Sequence, residues 1–172
     1  MDKNKMPLIL VSLLSVLIFA SRMISHQPNL TPVLALCLFS GFLAKGRWYS
    51  MVLPMFALVL SDWQIGFYPG WVFNYVSLVL VLFSGVMMKG RLSSFAGFGI
   101  LGATQFFLLS NLGVWMFTKM YPLTLEGLIQ SYGMGLPFFK ATLLSTTAFM
   151  VVFYGIYAGV RQLQTQSSEE VI

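Results

Sequence analysis

Six stretches of the chain are nearly unbroken apolar runs, and the polar residues gather between them. The runs cover 7–24, 31–44, 48–65, 71–88, 93–117 and 137–160. A helix needs roughly 20 mostly apolar residues to cross a bilayer, with a range of about 17–25. Each run is therefore expected to be a membrane-spanning helix. The second is the shortest; it gains length from residues 28–30 or stands with little tilt. Pro32 suits its first turn, where a missing N–H costs nothing.

Composition agrees. Of 172 residues, 58% are apolar and only 9% are charged, against about 25% charged in soluble domains. Mean hydropathy is +0.82. So few charges cannot cover the surface of a water-soluble monomer of this length. Disorder, collagen-like repeats and a disulfide scaffold are excluded by the apolar content, the aperiodic glycines and the single cysteine. The expected fold class is all-α, an integral membrane bundle in one domain over residues 1–161, with a polar tail over 162–172.

Basic residues set the expected orientation. Lys3 and Lys5 precede the first run, Lys45 and Arg47 follow the second, Lys89 and Arg91 follow the fourth, and Arg161 follows the sixth. Every other connection is basic, which places both termini on the cytoplasmic side of a bacterial inner membrane. The first run has the Lys-rich start of a signal peptide and Ala20 as a possible cleavage residue. Ile18 fits a cleavage site poorly and Arg22 follows at once, so an uncleaved helix is expected. The net charge of +5 forms no basic patch with interleaved aromatics, which sets nucleic acid aside. No phosphate-binding Gly-x-x-x-x-Gly-Lys-Ser/Thr loop is present. Active transport would then draw on a gradient or an energising partner.

Polar residues concentrate at the other, outer ends of the runs: Arg22, His26, Asn29, Asp62, Trp63, Gln64, Tyr68, Asn74, Tyr75, Asn111, Trp115, Tyr121, Glu126, Tyr132 and Lys140. Two readings compete. One is an outward-facing small-molecule pocket, apolar and aromatic with a few polar anchors. The other is an aromatic belt with interfacial caps. Asp62, Asn111 and Glu126 are not belt residues, which favours the pocket.

Within it, Arg22, Asp62, Glu126 and Lys140 would anchor charge, with Asp62 paired to Arg22 or Lys140. Asn29, Asn111 and Tyr132 would hydrogen-bond, and Trp63, Trp115 and Tyr121 would stack on a ring. Asn111 and Trp115, four apart, share a helix face. His26, the only histidine, has no carboxylate or thiol cluster around it and suits a loop or pocket position rather than a metal site. Cys37 lies mid-run as a small packing residue. No catalytic motif stands out, and no cofactor or metal is expected.

Residues 121–140 read as a short interfacial helix over 123–129, then a break at Gly133, Gly135 and Pro137 before the sixth run. Such irregular backbone at membrane depth must line a cavity or lie buried in protein, so a lid or cavity wall is one reading and an ordinary loop the other. The Gly155-x-x-x-Gly159 pair, the Ser40/Ala44 pair and the cluster Gly97, Gly99, Gly102 and Ala103 mark close helix contacts within the bundle or a docking face.

Several segments together resemble an uncharacterised family of small bacterial membrane proteins. They are Pro28-Asn29-Leu30-Thr31-Pro32, Ser61-Asp62, Asn111-Leu112-Gly113-Val114-Trp115, Tyr121-Pro122, Gly127-Leu128 and Leu136-Pro137-Phe138-Phe139-Lys140. The resemblance spans about 22–155. It departs where the family pattern continues Asn-Thr and then Gly-Asp, since this chain has Ala141-Thr142 and Ser145-Thr146.

More distantly, six short spans with an outward polar cluster and no ATPase are similar to the substrate-binding S components of energy-coupling-factor vitamin transporters, the cobalamin-specific ones nearest. That resemblance implies uptake of a small nutrient, such as cobalamin or another vitamin, with a partner module of a transmembrane scaffold and two ATPases. The alternatives are a membrane scaffold or assembly subunit that holds another membrane protein, and a lipid-directed enzyme with Asp62 or His26 as base.

Overall fold

The computed structural model describes residues 6–24, 31–45, 47–67 and 69–169. They form six helices: α1 (Met6–Met23), α2 (Val33–Ala44), α3 (Tyr49–Ile65), α4 (Trp71–Val86), α5 (Leu92–Phe117) and α6 (Leu125–Glu169). The protein is all-α among the described residues. The first five helices begin and end within two residues of the apolar runs.

The shortest run takes the central place. Helix α2 is apolar all round, a pattern that suits a protein interior or lipid and excludes water. Eleven of its twelve residues are buried, and it touches each of the other five helices. Its lower half carries an aromatic cluster. The Phe39 ring stacks on Phe153 at 5.0 Å, while Phe42 meets Phe95 edge-on at 5.0 Å and Tyr157 at 5.1 Å. Against α4 it presents Gly41, opposite Gly85, and there the two backbones touch.

Helix α1 packs on α3, and α5 on α6. Residues Leu92–Phe117 and Leu125–Gln162 are long and apolar enough to cross a membrane. A core helix of a soluble protein would be mostly buried, whereas only 22% and 17% of their most apolar windows are enclosed. Leu13, Val16 and Leu17 on α1 and Phe56 and Val59 on α3 likewise face outward.

The sixth run departs from expectation. There is no separate helix over 123–129 and no break at Gly133, Gly135 and Pro137; α6 is continuous from Leu125 to Glu169, 45 residues, with Pro137 inside it. A helix-interior proline costs about 3 kcal/mol, and here tertiary packing on α5 overrides it. Gly135 is used for approach, not flexibility, because a Cβ there would overlap the Asn111 side chain of α5. The helix starts where the Thr124 hydroxyl accepts the Gly127 N–H at 3.2 Å, with Glu126 in its first turn, favourable to the helix dipole. The expected tail over 162–172 is thus entered by α6 as far as Glu169.

The small-residue motifs are also sorted. Gly99 and Gly102 pack against Met150 and Leu38, as a bundle contact requires, while Gly97, Gly155 and Gly159 face open space.

Candidate functional site

Helices α1, α3 and α5 end, and α2, α4 and α6 begin, at one end of the bundle. The opposite end carries Lys45, Arg47, Lys89 and Arg91 in the α2–α3 and α4–α5 connections. Arg161 joins them, lining a groove there with Gly90 and Tyr157.

The polar end is built around Asp62, near the C-terminus of α3 and 5% exposed. A carboxylate that buried must be paired and hydrogen-bonded. Arg22, in the last turn of α1, donates from Nη2 to Asp62 Oδ1 and from Nε to Ser61 Oγ at 2.6 Å. Tyr75, from α4, donates its hydroxyl to Asp62 Oδ2 at 2.6 Å. Ser61 in turn donates to the Leu58 carbonyl at 2.7 Å. Of the two partners considered for Asp62, Arg22 holds it. Both carboxylate oxygens are engaged, and the charges cancel locally.

This network walls a cavity of about 250 Å³ to which all six helices or their ends contribute: Arg22 from α1, Thr31, Val33 and Leu34 around the start of α2, Leu58 and Asp62 from α3, Asn74, Tyr75 and Leu78 from α4, Phe106 from α5 and Thr142 from α6. A second cavity of about 180 Å³ lies between α4, α5 and α6, lined by Phe106, Phe107, Asn111, Gly135, Phe138 and Phe139 among others. Asn74, Phe106 and Thr142 line both, so the two are adjoining lobes of one cleft.

The expected site residues do not all converge there. Arg22 and Asp62 line the first lobe and Asn111 the second. Part of the Asn111 amide is committed to the helices, since Nδ2 donates to the Phe107 carbonyl at 2.9 Å and Gly135 packs against it. Trp63 is 76% exposed, because one residue past Asp62 is about 100° round the helix. Lys140 is exposed for the same reason, two residues from Thr142, and Glu126 is exposed at the α6 start. Trp115 and Tyr121 line a separate groove with Lys119, where the Trp115 Nε1–H donates to the Pro122 carbonyl at 2.9 Å. Tyr132 fastens α6 to α5: its hydroxyl donates to the Leu108 carbonyl at 2.8 Å and its ring lies 5.6 Å from Phe107. His26, Asn29 and Tyr68 lie outside the described residues.

The cleft also uses residues to which the sequence assigned no individual binding role. Asn74 and Tyr75 were legible as polar residues in an apolar run. Thr142 carried only the weak signal of a hydroxyl in α6, and Phe106 none, since an aromatic at a lining position reads like one in a core. Groups of three or more His, Cys, Asp and Glu side chains that could hold a metal are absent among the described residues.

Over residues 2–168 the chain matches DUF6580, a family of unknown function, and it belongs to that family. No curated protein and no solved structure matches it.

Proposed function

We propose that this DUF6580 member is a six-span protein of the bacterial inner membrane that binds a small nutrient in its cleft for uptake. The outward-facing apolar side chains support lipid around the whole bundle. The alternation of basic and non-basic ends supports both termini in the cytoplasm, with the cleft at the outer face. The observation that carries the reading is the Arg22–Asp62–Tyr75 network on the wall of a cavity fed by all six helices. Ionisable groups inside a membrane bundle are costly, and as a rule they mark a substrate or ion pathway.

The lobe volumes of about 250 and 180 Å³ each fall below the usual range of about 300–1,000 Å³ for ligand pockets. They support a ligand of one or two rings rather than a corrinoid as large as cobalamin. The similarity to S components is one of architecture, and it suggests a partner scaffold with ATPases as the energy source. Mass spectrometry of small molecules extracted from the chain, purified gently in nanodiscs, tests the reading. A stoichiometric non-lipid compound is expected; lipid alone would refute binding.

A second reading, a scaffold subunit, has one observation in its favour. A Cβ added at Gly155 or Gly159 of α6 would meet nothing within 4 Å, and Val152, Ile156 and Val160 nearby are exposed. Co-purification of a membrane partner lost on Gly155→Leu would support it.

A further inference from the structure

We infer that the cleft takes a flat aromatic molecule with no net charge, whose polar edge carries both a hydrogen-bond donor and an acceptor; this rests on the binding reading above. Three observations lead there.

The first is charge. Among the described residues, Arg22 and Asp62 are the only side chains of opposite charge on the cleft wall, and each neutralises the other. An anion or a cation entering the cleft would be desolvated without a counter-charge of its own. A neutral ligand meets no such penalty.

The second is shape. The second lobe is walled by phenylalanines, with Phe107 and Phe139 at 4.6 Å between ring centroids and 31° between planes. Phe106 stands where the two lobes meet. Rings prefer offset or edge contacts with other rings, so this lobe suits a planar ring better than a flexible chain.

The third is Asn74. It is half-buried, lines both lobes, and its side-chain amide has no hydrogen-bond partner among the described residues. Of the other polar side chains lining the second lobe, Thr142 donates to the Phe138 carbonyl at 2.9 Å, Ser110 to the Phe107 carbonyl at 3.4 Å, and Asn111 donates from Nδ2 to that same carbonyl at 2.9 Å. An amide offers a donor and an acceptor side by side. A primary carboxamide, a lactam or a pyrimidine edge complements it, and a hydrocarbon leaves it unpaired.

Three related probes on one ring scaffold read this directly on the full chain in nanodiscs. They are pyridine-3-carboxamide, the corresponding carboxylate, and the N-methylpyridinium carboxamide, titrated by calorimetry into the millimolar range. The neutral carboxamide is expected to bind at least about tenfold more tightly than either charged probe, a difference of about 1.4 kcal/mol. Asn74→Leu should lose that binding at an unchanged melting temperature, and Asn74→Gln should keep part of it. Equal or tighter binding of a charged probe, no binding of the carboxamide, or full affinity in a folded Asn74→Leu variant would overturn the assignment. If a compound still co-purifies in those cases, only the ligand class falls; if lipid alone does, the binding reading falls with it.

Discussion

Gly41 of α2 and Gly85 of α4 bring two backbones into direct contact: a Cβ placed on Gly41 would lie 3.2 Å from the Gly85 Cα and overlap the Leu82 carbonyl, and one on Gly85 would overlap the Leu38 carbonyl. The obstacle is backbone on both sides, which cannot rotate away. Gly41→Ala and Gly85→Ala should each destabilise by about 1–3 kcal/mol or more, the usual cost of overpacking. Gly155→Ala and Gly159→Ala, in open space on α6, should be neutral or stabilise by up to about 1 kcal/mol through helix propensity. Thermal melts of the four variants in one detergent separate the two pairs; equal effects would remove the α2–α4 contact from the account.

Asp62 is held from two sides, so its loss exposes two partners at once. Asp62→Asn leaves the Arg22 charge uncompensated in a partly buried position, and a loss of about 3 kcal/mol is expected. The double variant Arg22→Met with Asp62→Leu should recover most of that stability but no ligand binding. A double variant no more stable than Asp62→Asn would mean that the charge pair itself supports the fold.

Tyr75→Phe removes only the second bond to the carboxylate. A hydrogen bond to a charged group contributes about 1.5–3 kcal/mol, so a melt lowered by that amount is expected. Tyr132→Phe should cost about 1 kcal/mol, because its hydroxyl bonds a neutral carbonyl. It should leave ligand affinity unchanged, since Tyr132 joins helices outside both lobes. Reduced affinity in Tyr132→Phe would return that residue to the site.

Orientation is open to chemical labelling. In a Cys37→Ala background, Glu126→Cys should react with a membrane-impermeant maleimide on intact cells, and Lys89→Cys only after permeabilisation. Native Cys37, 0% exposed, should resist the reagent in the folded protein under both conditions. Labelling of Lys89→Cys from outside would invert the topology.

The apolar runs made five helices legible to within two residues because length and hydropathy alone define such elements. The sixth was misread for a physical reason. Gly133, Gly135 and Pro137 carry the local signals of a break, and only the presence of Asn111 opposite Gly135 turns one of them into a packing device. The site was legible in part. Asp62 and Arg22 stood out as charges at the edge of apolar runs, but their neighbour Trp63 could be excluded only by helical register. Phe106 and the unpartnered amide of Asn74 acquire meaning from residues far along the chain, which no local pattern reveals.

The brevity of α2 has a geometric consequence. At about 1.5 Å per residue, its twelve residues reach about 18 Å, while the twenty-six of α5 reach about 39 Å. The central post is therefore less than half as long as one of the outer helices, and Thr31, Val33 and Leu34 around its start line the cavity. The cleft is thus set by where the innermost helix begins. One added turn at the start of α2 would fill it, with the outer helices unchanged.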